Sequence, residues 1–165
     1  MNIAVILAGG TGIRLEKSLP KQFFKVAGKM VIEHAVDAFE RNELIDEIAI
    51  VINKHYLFMV EDMIIKNEWK KVKRVLIGGE ERYHSSLAAV NAYNDLKDAN
   101  LIFHDAARPL ISQRIINDVV KAMHDYHAVD VAINSADTII EIENDIITAI
   151  PERIKNAQRP DSTRV

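Results

Sequence analysis

The segment best equipped for chemistry is Leu7-Ala8-Gly9-Gly10-Thr11-Gly12-Ile13-Arg14-Leu15, closed by Pro20-Lys21-Gln22. Small residues let backbone N–H groups come close to phosphate oxygens, and Arg14 and Lys21 add positive charge nearby. The Walker pattern ends in Gly-Lys-Ser/Thr, which is missing here. The dinucleotide pattern needs a glycine three residues after Gly12, where Leu15 stands. Both common nucleotide folds are thereby disfavoured. The competing reading is a glycine-rich strand-to-helix turn of structural use only, with Arg14 and Lys21 as solvated loop charge.

Two more segments carry polar groups at the right kind of place. His104-Asp105-Ala106-Ala107-Arg108-Pro109 follows a strand that begins near Leu101. A carboxylate just past the end of a parallel strand is placed for a hard cation, which favours oxygen ligands. An Asx turn before Ala106 is the alternative for Asp105. His104 reads as structural, and Arg108-Pro109 as a brace for the loop. Gly78-Gly79-Glu80-Glu81-Arg82-Tyr83-His84-Ser85 follows another strand and opens a helix, so Ser85 is a candidate N-cap. His124 and His127 lie three apart near a helix end with no evident third ligand, which points to surface or capping roles.

The elements that must hold these loops alternate. β-Branched runs at 3–7, 47–52, 73–77, 101–104 and 129–133 predict strands; helical patterns fall at 31–40, 56–69, 85–95 and 113–126. In the last of these Ile115, Ile116, Val119, Val120 and Met123 share one face, with Ser112 at the N-cap position. Strand–helix alternation with continuously apolar strands implies a mainly parallel α/β sheet covered on both faces, binding ligands beyond its strands' carboxyl ends. Residues 138–142 and 146–150 flank Glu143-Asn144-Asp145 and predict a hairpin, either an arm or a small edge ribbon.

The chain has 165 residues, 48% of them apolar and 27% charged, which suits one packed domain. Its 21 Lys plus Arg against 24 Asp plus Glu give a net charge of −3 and no basic stripe, so no nucleic-acid or membrane-surface partner is expected. Cysteine is absent, excluding disulfides, thiolate zinc sites and cysteine nucleophiles. No apolar run approaches the roughly 18 residues of a spanning helix, and the N-terminus lacks the basic flank of a signal peptide. A cytoplasmic location is expected.

Leu-Ala-Gly-Gly-x-Gly-x-Arg-(x)₅-Pro-Lys resembles the signature of nucleotidyltransferases that join a nucleoside triphosphate to a sugar or alditol phosphate. With Gly78–Leu87, His104–Pro109 and Pro20-Lys21-Gln22-Phe23 in the same order, residues 1 to about 153 resemble the alditol-phosphate cytidylyltransferases. That family includes the methylerythritol-phosphate and ribitol-phosphate enzymes. The resemblance implies a Rossmann-like nucleotidyltransferase fold with a projecting hairpin arm at 138–150. It implies CTP and an alditol phosphate as substrates, Mg²⁺ as cofactor, and a homodimer formed through the arm. By resemblance Arg14 and Lys21 serve the triphosphate, Gly12 belongs to its loop, and Ala8, Gly9 and Gly10 line cytosine and ribose. Gly79, Glu80 and Ser85 face the base, Ala106 touches the ribose, and Asp105 holds Mg²⁺. Asp137, Thr138 and Arg153 contact the acceptor, Arg153 in a neighbouring subunit's site.

Leu7-Ala8-Gly9-Gly10 is closer to the ribitol-phosphate branch than to the methylerythritol branch, which tends to carry Pro-Ala-Ala-Gly. Pro20–Val26 is similar to capsule-type CDP-ribitol enzymes, some of which carry a reductase fused downstream. D-Ribitol 5-phosphate is therefore the expected acceptor, with 2-C-methyl-D-erythritol 4-phosphate as the alternative. The family's pattern continues well beyond residue 165, whereas residues 155–165 are polar and unlike it. One domain over 1–165, shortened at its carboxyl end, is expected. A nucleotide-binding fragment without turnover and a uridylyl- or guanylyltransferase are the other readings, the second opposed by His104–Pro109.

Overall fold

A computed structural model of the chain describes residues 1–10, 19–79, 81–134, 138–152 and 157–158. Strand β1 (Asn2–Ala8) leads to a short hairpin, β2 (Lys25–Val26) and β3 (Lys29–Met30). Its turn, Ala27-Gly28, has both residues at positive φ, 49° and 84°. Then follow helix α1 (Val31–Glu40), β4 (Glu47–Ile52), α2 (Leu57–Asn67), β5 (Val72–Ile77), α3 (Arg82–Ala92), β6 (Asn100–Asp105) and α4 (Gln113–Ala122). Strands β5-β4-β1-β6 form one parallel sheet in that order.

Side-chain alternation divides the core between two faces. Ala4, Ile6 and Ala8 of β1 and Ile48, Ile50 and Ile52 of β4 meet Ile32, Val36 and Phe39 of α1, Val60 and Met63 of α2, and Ile116 and Val120 of α4. Ile3, Val5, Ala49 and Val51 point the other way, onto Ala89 and Tyr93 at α3. Both faces are thus covered, as continuously apolar strands require.

Helix boundaries shift by a few residues from the periodic pattern. Before α2, Lys54–Tyr56 forms a separate 3₁₀ turn capped by Asn53, whose side chain accepts from the His55 N–H at 3.0 Å. The helix ends at Glu68, in the left-handed region at φ 52°. Ser112 caps α4 as expected, accepting from the Ile115 N–H at 3.3 Å. Ser85 is not a cap: α3 begins a turn earlier and Glu81 is its N-cap, which puts Ser85 inside the helix.

The fifth expected strand, 129–133, does not form. Only β7 (Ile133–Asn134) is extended and paired, antiparallel to β10 (Ala157–Gln158) and outside the main sheet. Val131 and Ile133 are exposed, so no apolar layer holds the run in place. The Asp130 carboxylate also accepts from the Val131 N–H at 3.0 Å, a local bond that competes with a ladder.

The hairpin does form, from β8 (Glu141–Glu143) and β9 (Ile146–Ala149) around Asn144-Asp145 at φ 50° and 64°. Two left-handed residues make the turn that matches strand twist. Among the described residues it pairs only with itself, so it is not an edge ribbon of the main sheet. Ile139, Ile140, Ile142, Ile146, Ile147 and Ile150 are all exposed. A lone two-stranded ribbon is marginal in water. No helix of the described residues is long and apolar enough to cross a membrane.

Candidate active site

The sheet order places the site. From β1 the chain moves to β4 and β5 on one side, then returns to lay β6 on the other side of β1. Beyond the carboxyl ends of β1 and β6 this reversal opens a crevice, where open α/β sheets bind ligands. Leu7 pairs with Asp105 in register, so the glycine loop and the Asp105 loop emerge side by side. The crevice is a cleft of about 250 Å³. Ala8, Gly9, Gly10, Lys21, Gly79, Ser85, Asp105 and Ala106 all line it, from segments up to a hundred residues apart in sequence. Thr138 is exposed and is not part of its wall. Gly12, Arg14, Glu80, Asp137 and Arg153 lie outside the described residues.

Lys21 is aimed by its neighbours. Pro20 precedes a 3₁₀ turn, Lys21–Phe23, that buries Gln22 and Phe23 while leaving Lys21 exposed. Phe23 packs on Tyr56 with ring centroids 4.8 Å apart. The Gln22 side-chain amide donates to the carbonyls of Ala8 at 2.8 Å and Gly10 at 2.9 Å, tying the turn to the end of β1. Sequence reasoning quoted Gln22 only as part of a motif and assigned it no task. Gln22→Leu withdraws a buried donor from both carbonyls, a loss of about 1–3 kcal/mol. The expected calorimetric result is a melting temperature lower by roughly 3–10 °C; an unchanged Tm would contradict the tie.

Ser85 is 4% exposed and wedged between glycines. A Cβ on Gly9 would stand 2.8 Å from its Oγ, and one on Gly78 only 2.5 Å. Side chains at these positions would occupy the space the hydroxyl needs at the cleft wall.

The Asp105 carboxylate faces two arginines. Its Oδ1 meets Arg82 Nη1 at 2.7 Å and its Oδ2 meets Arg108 Nε at 3.1 Å. Ala106 is fully buried, and its N–H donates to the Leu7 carbonyl at 3.0 Å, locking the loop to β1. Mg²⁺ keeps several waters and is commonly held through one or two carboxylates plus substrate phosphates. Among the described residues no group of three His, Asp or Glu could hold a metal. Asp105 offers the kind of oxygen donor such an ion takes.

His104 braces this loop from beneath. Its Nε2–H donates to the Arg108 carbonyl at 2.9 Å, and its ring lies 5.2 Å from that of Phe39. Burial holds its pKa below the ordinary 6.5, outweighing the Arg108 carbonyl and the Asp105 charge, which favour protonation. The unfolded chain thus takes up a proton near pH 6.5 that the folded chain refuses, so stability falls as pH drops through that value. His104→Gln keeps a donor without the titration. The wild-type loss of Tm between about pH 7.5 and 5.5 should shrink in that variant; equal slopes would contradict it.

A parallel sheet with Gly9, Gly10, Lys21 and Asp105 lining a cleft at its reversal point has the α/β architecture that binds ligands there. The sequence profile of the family described as IspD, 2-C-methyl-D-erythritol 4-phosphate cytidylyltransferase, matches residues 2–165. The bifunctional ribulose 5-phosphate reductase/CDP-ribitol pyrophosphorylase Bcs1 of Haemophilus influenzae is 42% identical over 160 residues, covering 95% of this chain and 34% of that protein. The 2-C-methyl-D-erythritol 4-phosphate cytidylyltransferase of Thermobifida fusca is 36% identical over 170 residues, 98% of this chain and 68% of its own length. The crystal structure of 4-diphosphocytidyl-2C-methyl-D-erythritol synthase from Anaerococcus prevotii superposes with a TM-score of 0.78 at 25% identity, covering 95% of this chain and 66% of that one. The chain belongs to the IspD cytidylyltransferase family, with its nucleotidyltransferase fold. It spans about a third of the Haemophilus protein and about two thirds of the others.

Proposed function

We propose that this cleft binds CTP and transfers its cytidylyl group to an alditol phosphate, releasing pyrophosphate. One observation supports this above the others: three distant motifs converge on one cleft at the β1/β6 reversal. A phosphate oxygen of the acceptor attacks the α-phosphorus of CTP as the bond to pyrophosphate breaks. With a second pKa near 6 by analogy with phospho side chains, the acceptor is already largely dianionic at neutral pH. It needs no general base, which suits a cleft where the half-buried His104 is engaged in supporting the loop. Lys21, with Arg14, supplies positive charge where negative charge grows in the transition state. Gly9, Gly10, Gly79 and Glu80 bound the base and ribose, with the Ser85 hydroxyl reading the pyrimidine edge. Asp105 would supply the protein oxygen for Mg²⁺, which when bound would neutralise triphosphate charge.

D-Ribitol 5-phosphate is the proposed acceptor, supported by Leu7-Ala8-Gly9-Gly10 and by the 42% identity to the CDP-ribitol pyrophosphorylase. 2-C-Methyl-D-erythritol 4-phosphate is the second reading, favoured by the family profile and the Thermobifida relative. Asp137, Thr138 and Arg153 are proposed for the acceptor side. The exposed isoleucines of the hairpin are proposed to be covered by a second copy of the chain, bringing Arg153 to the neighbour's cleft.

Pyrophosphate release with CTP and each acceptor in turn tests the reading. Faster release with ribitol 5-phosphate supports the first acceptor, and faster release with the methylerythritol phosphate supports the second. CTP binding without release under either condition indicates a nucleotide-binding fragment without turnover.

A further inference from the structure

Arg82 stands at the start of α3, on the wall of the cleft opposite Asp105, with 64% of its side chain exposed. Its Nη1 stands 2.7 Å from Asp105 Oδ1, an ion pair that ties the two walls together. Arg108, the other cation on Asp105, is set more firmly. It is 38% exposed and lies in a turn closed by its own N–H on the Asp105 carbonyl at 3.0 Å. Its carbonyl in turn accepts from His104 at 2.9 Å.

The two arginines are therefore unequal. An ion pair made by so exposed a side chain contributes little to stability. Phosphate oxygens offer a guanidinium the paired, parallel hydrogen bonds that one carboxylate oxygen does not. If Arg82 leaves, Asp105 keeps Arg108, so no carboxylate is stranded without a counter-charge. The cleft that Arg82 lines is also bounded by Lys21, Gly9 and Gly10, which places it within the region a triphosphate would occupy.

We propose that Arg82 is an exchange residue: it neutralises Asp105 until a triphosphate enters, then passes to the phosphates and leaves Asp105 to Arg108 and the nucleotide's cation. The proposal rests on the nucleotide reading above. It makes Arg82 a positioning residue for Asp105 and a direct ligand of the phosphates in turn, and it accounts for a carboxylate fully paired with cations at a site meant for anions.

Affinities for CTP and for cytidine, measured in EDTA, test it on the unsubstituted chain, Arg82→Gln, Asp105→Asn and the double variant. Arg82→Gln should weaken CTP about tenfold and cytidine less than about twofold, because only the phosphates lose a partner. Asp105→Asn should tighten metal-free CTP about threefold or more by releasing Arg82, and this gain should fall below about twofold in the Arg82→Gln background. Equal weakening of CTP and cytidine by Arg82→Gln would mean the arginine only supports the fold of the cleft, and would overturn the exchange. An Asp105→Asn gain of the same size in both backgrounds would also overturn it, since direct charge repulsion would then be the whole effect. Failure of the unsubstituted chain to bind CTP would overturn the nucleotide reading itself. Normal CTP binding that Arg82→Gln leaves unchanged would overturn the exchange alone.

Discussion

Lys21→Ala is expected to lower the rate of pyrophosphate release by about a hundredfold or more while CTP affinity changes by less than about tenfold. The asymmetry follows from where the charge sits. Lys21 is exposed at the cleft, and among the described residues no ion pair engages it. Its ammonium is expected to meet charge that develops on the phosphoryl oxygens, an interaction that would strengthen toward the transition state. The ground-state nucleotide keeps the glycine loop and the Ser85 pocket, so binding suffers less. The turn that carries Lys21 stays anchored by Gln22 and Phe23 in the variant, so a folding defect is not expected. Single-turnover rates and calorimetric CTP titration separate the two quantities. Equal losses in both would make Lys21 an ordinary binding group, and unchanged turnover would remove it from the mechanism.

The second large effect is expected at Gly78, with a single methyl group. In Gly78→Ala the new Cβ falls 2.5 Å from Ser85 Oγ, 3.3 Å from Ser85 Cβ and 3.2 Å from Val51 Cγ1. Turning the hydroxyl does not relieve the Ser85 Cβ and Val51 contacts, so α3 must move off the sheet. Overpacking of this kind costs about 1–3 kcal/mol. Both Tm and CTP affinity should fall, the affinity by about tenfold or more because the base wall moves with α3. Gly9→Ala is the contrast: its Cβ lies 2.8 Å from Ser85 Oγ but 3.9 Å from Ser85 Cβ. There the hydroxyl can rotate away, so CTP affinity falls while Tm holds. Wild-type Tm and affinity in Gly78→Ala would show that the helix is not set by this contact.

Much of the fold was legible because its central strands, β1 and β4, are buried on both faces. Residues 47–52 and 31–40 coincide with β4 and α1, where apolar periodicity and packing agree. Residues 129–133 show the opposite case: the β-branched residues are present, but the run has no place in the sheet and its exposed side chains gain nothing from extension. At the helix ends, local polar chemistry decided. Glu81 and Asn53 start turns that hydrophobic periodicity does not register. The same distinction holds at the site. Glycines and carboxylates at strand ends announce themselves by type and position. Gln22 and Arg82 do not, because their contacts are made with partners far away in sequence: Ala8 and Gly10 for one, Asp105 for the other. Asp105 stands out by its place after a strand, but its pairing with two arginines depends on the fold that brings Arg82, at the start of α3, to the end of β6.

The most direct test of the central claim, that this cleft is a cytidine triphosphate site, is calorimetric titration of the 165-residue chain with CTP and then with UTP, both with Mg²⁺. A site that reads the pyrimidine edge by hydrogen bonds leaves polar groups unpaired with the wrong base, so CTP should bind at least about tenfold more tightly. Equal affinities, or no binding of either nucleotide, would contradict the account.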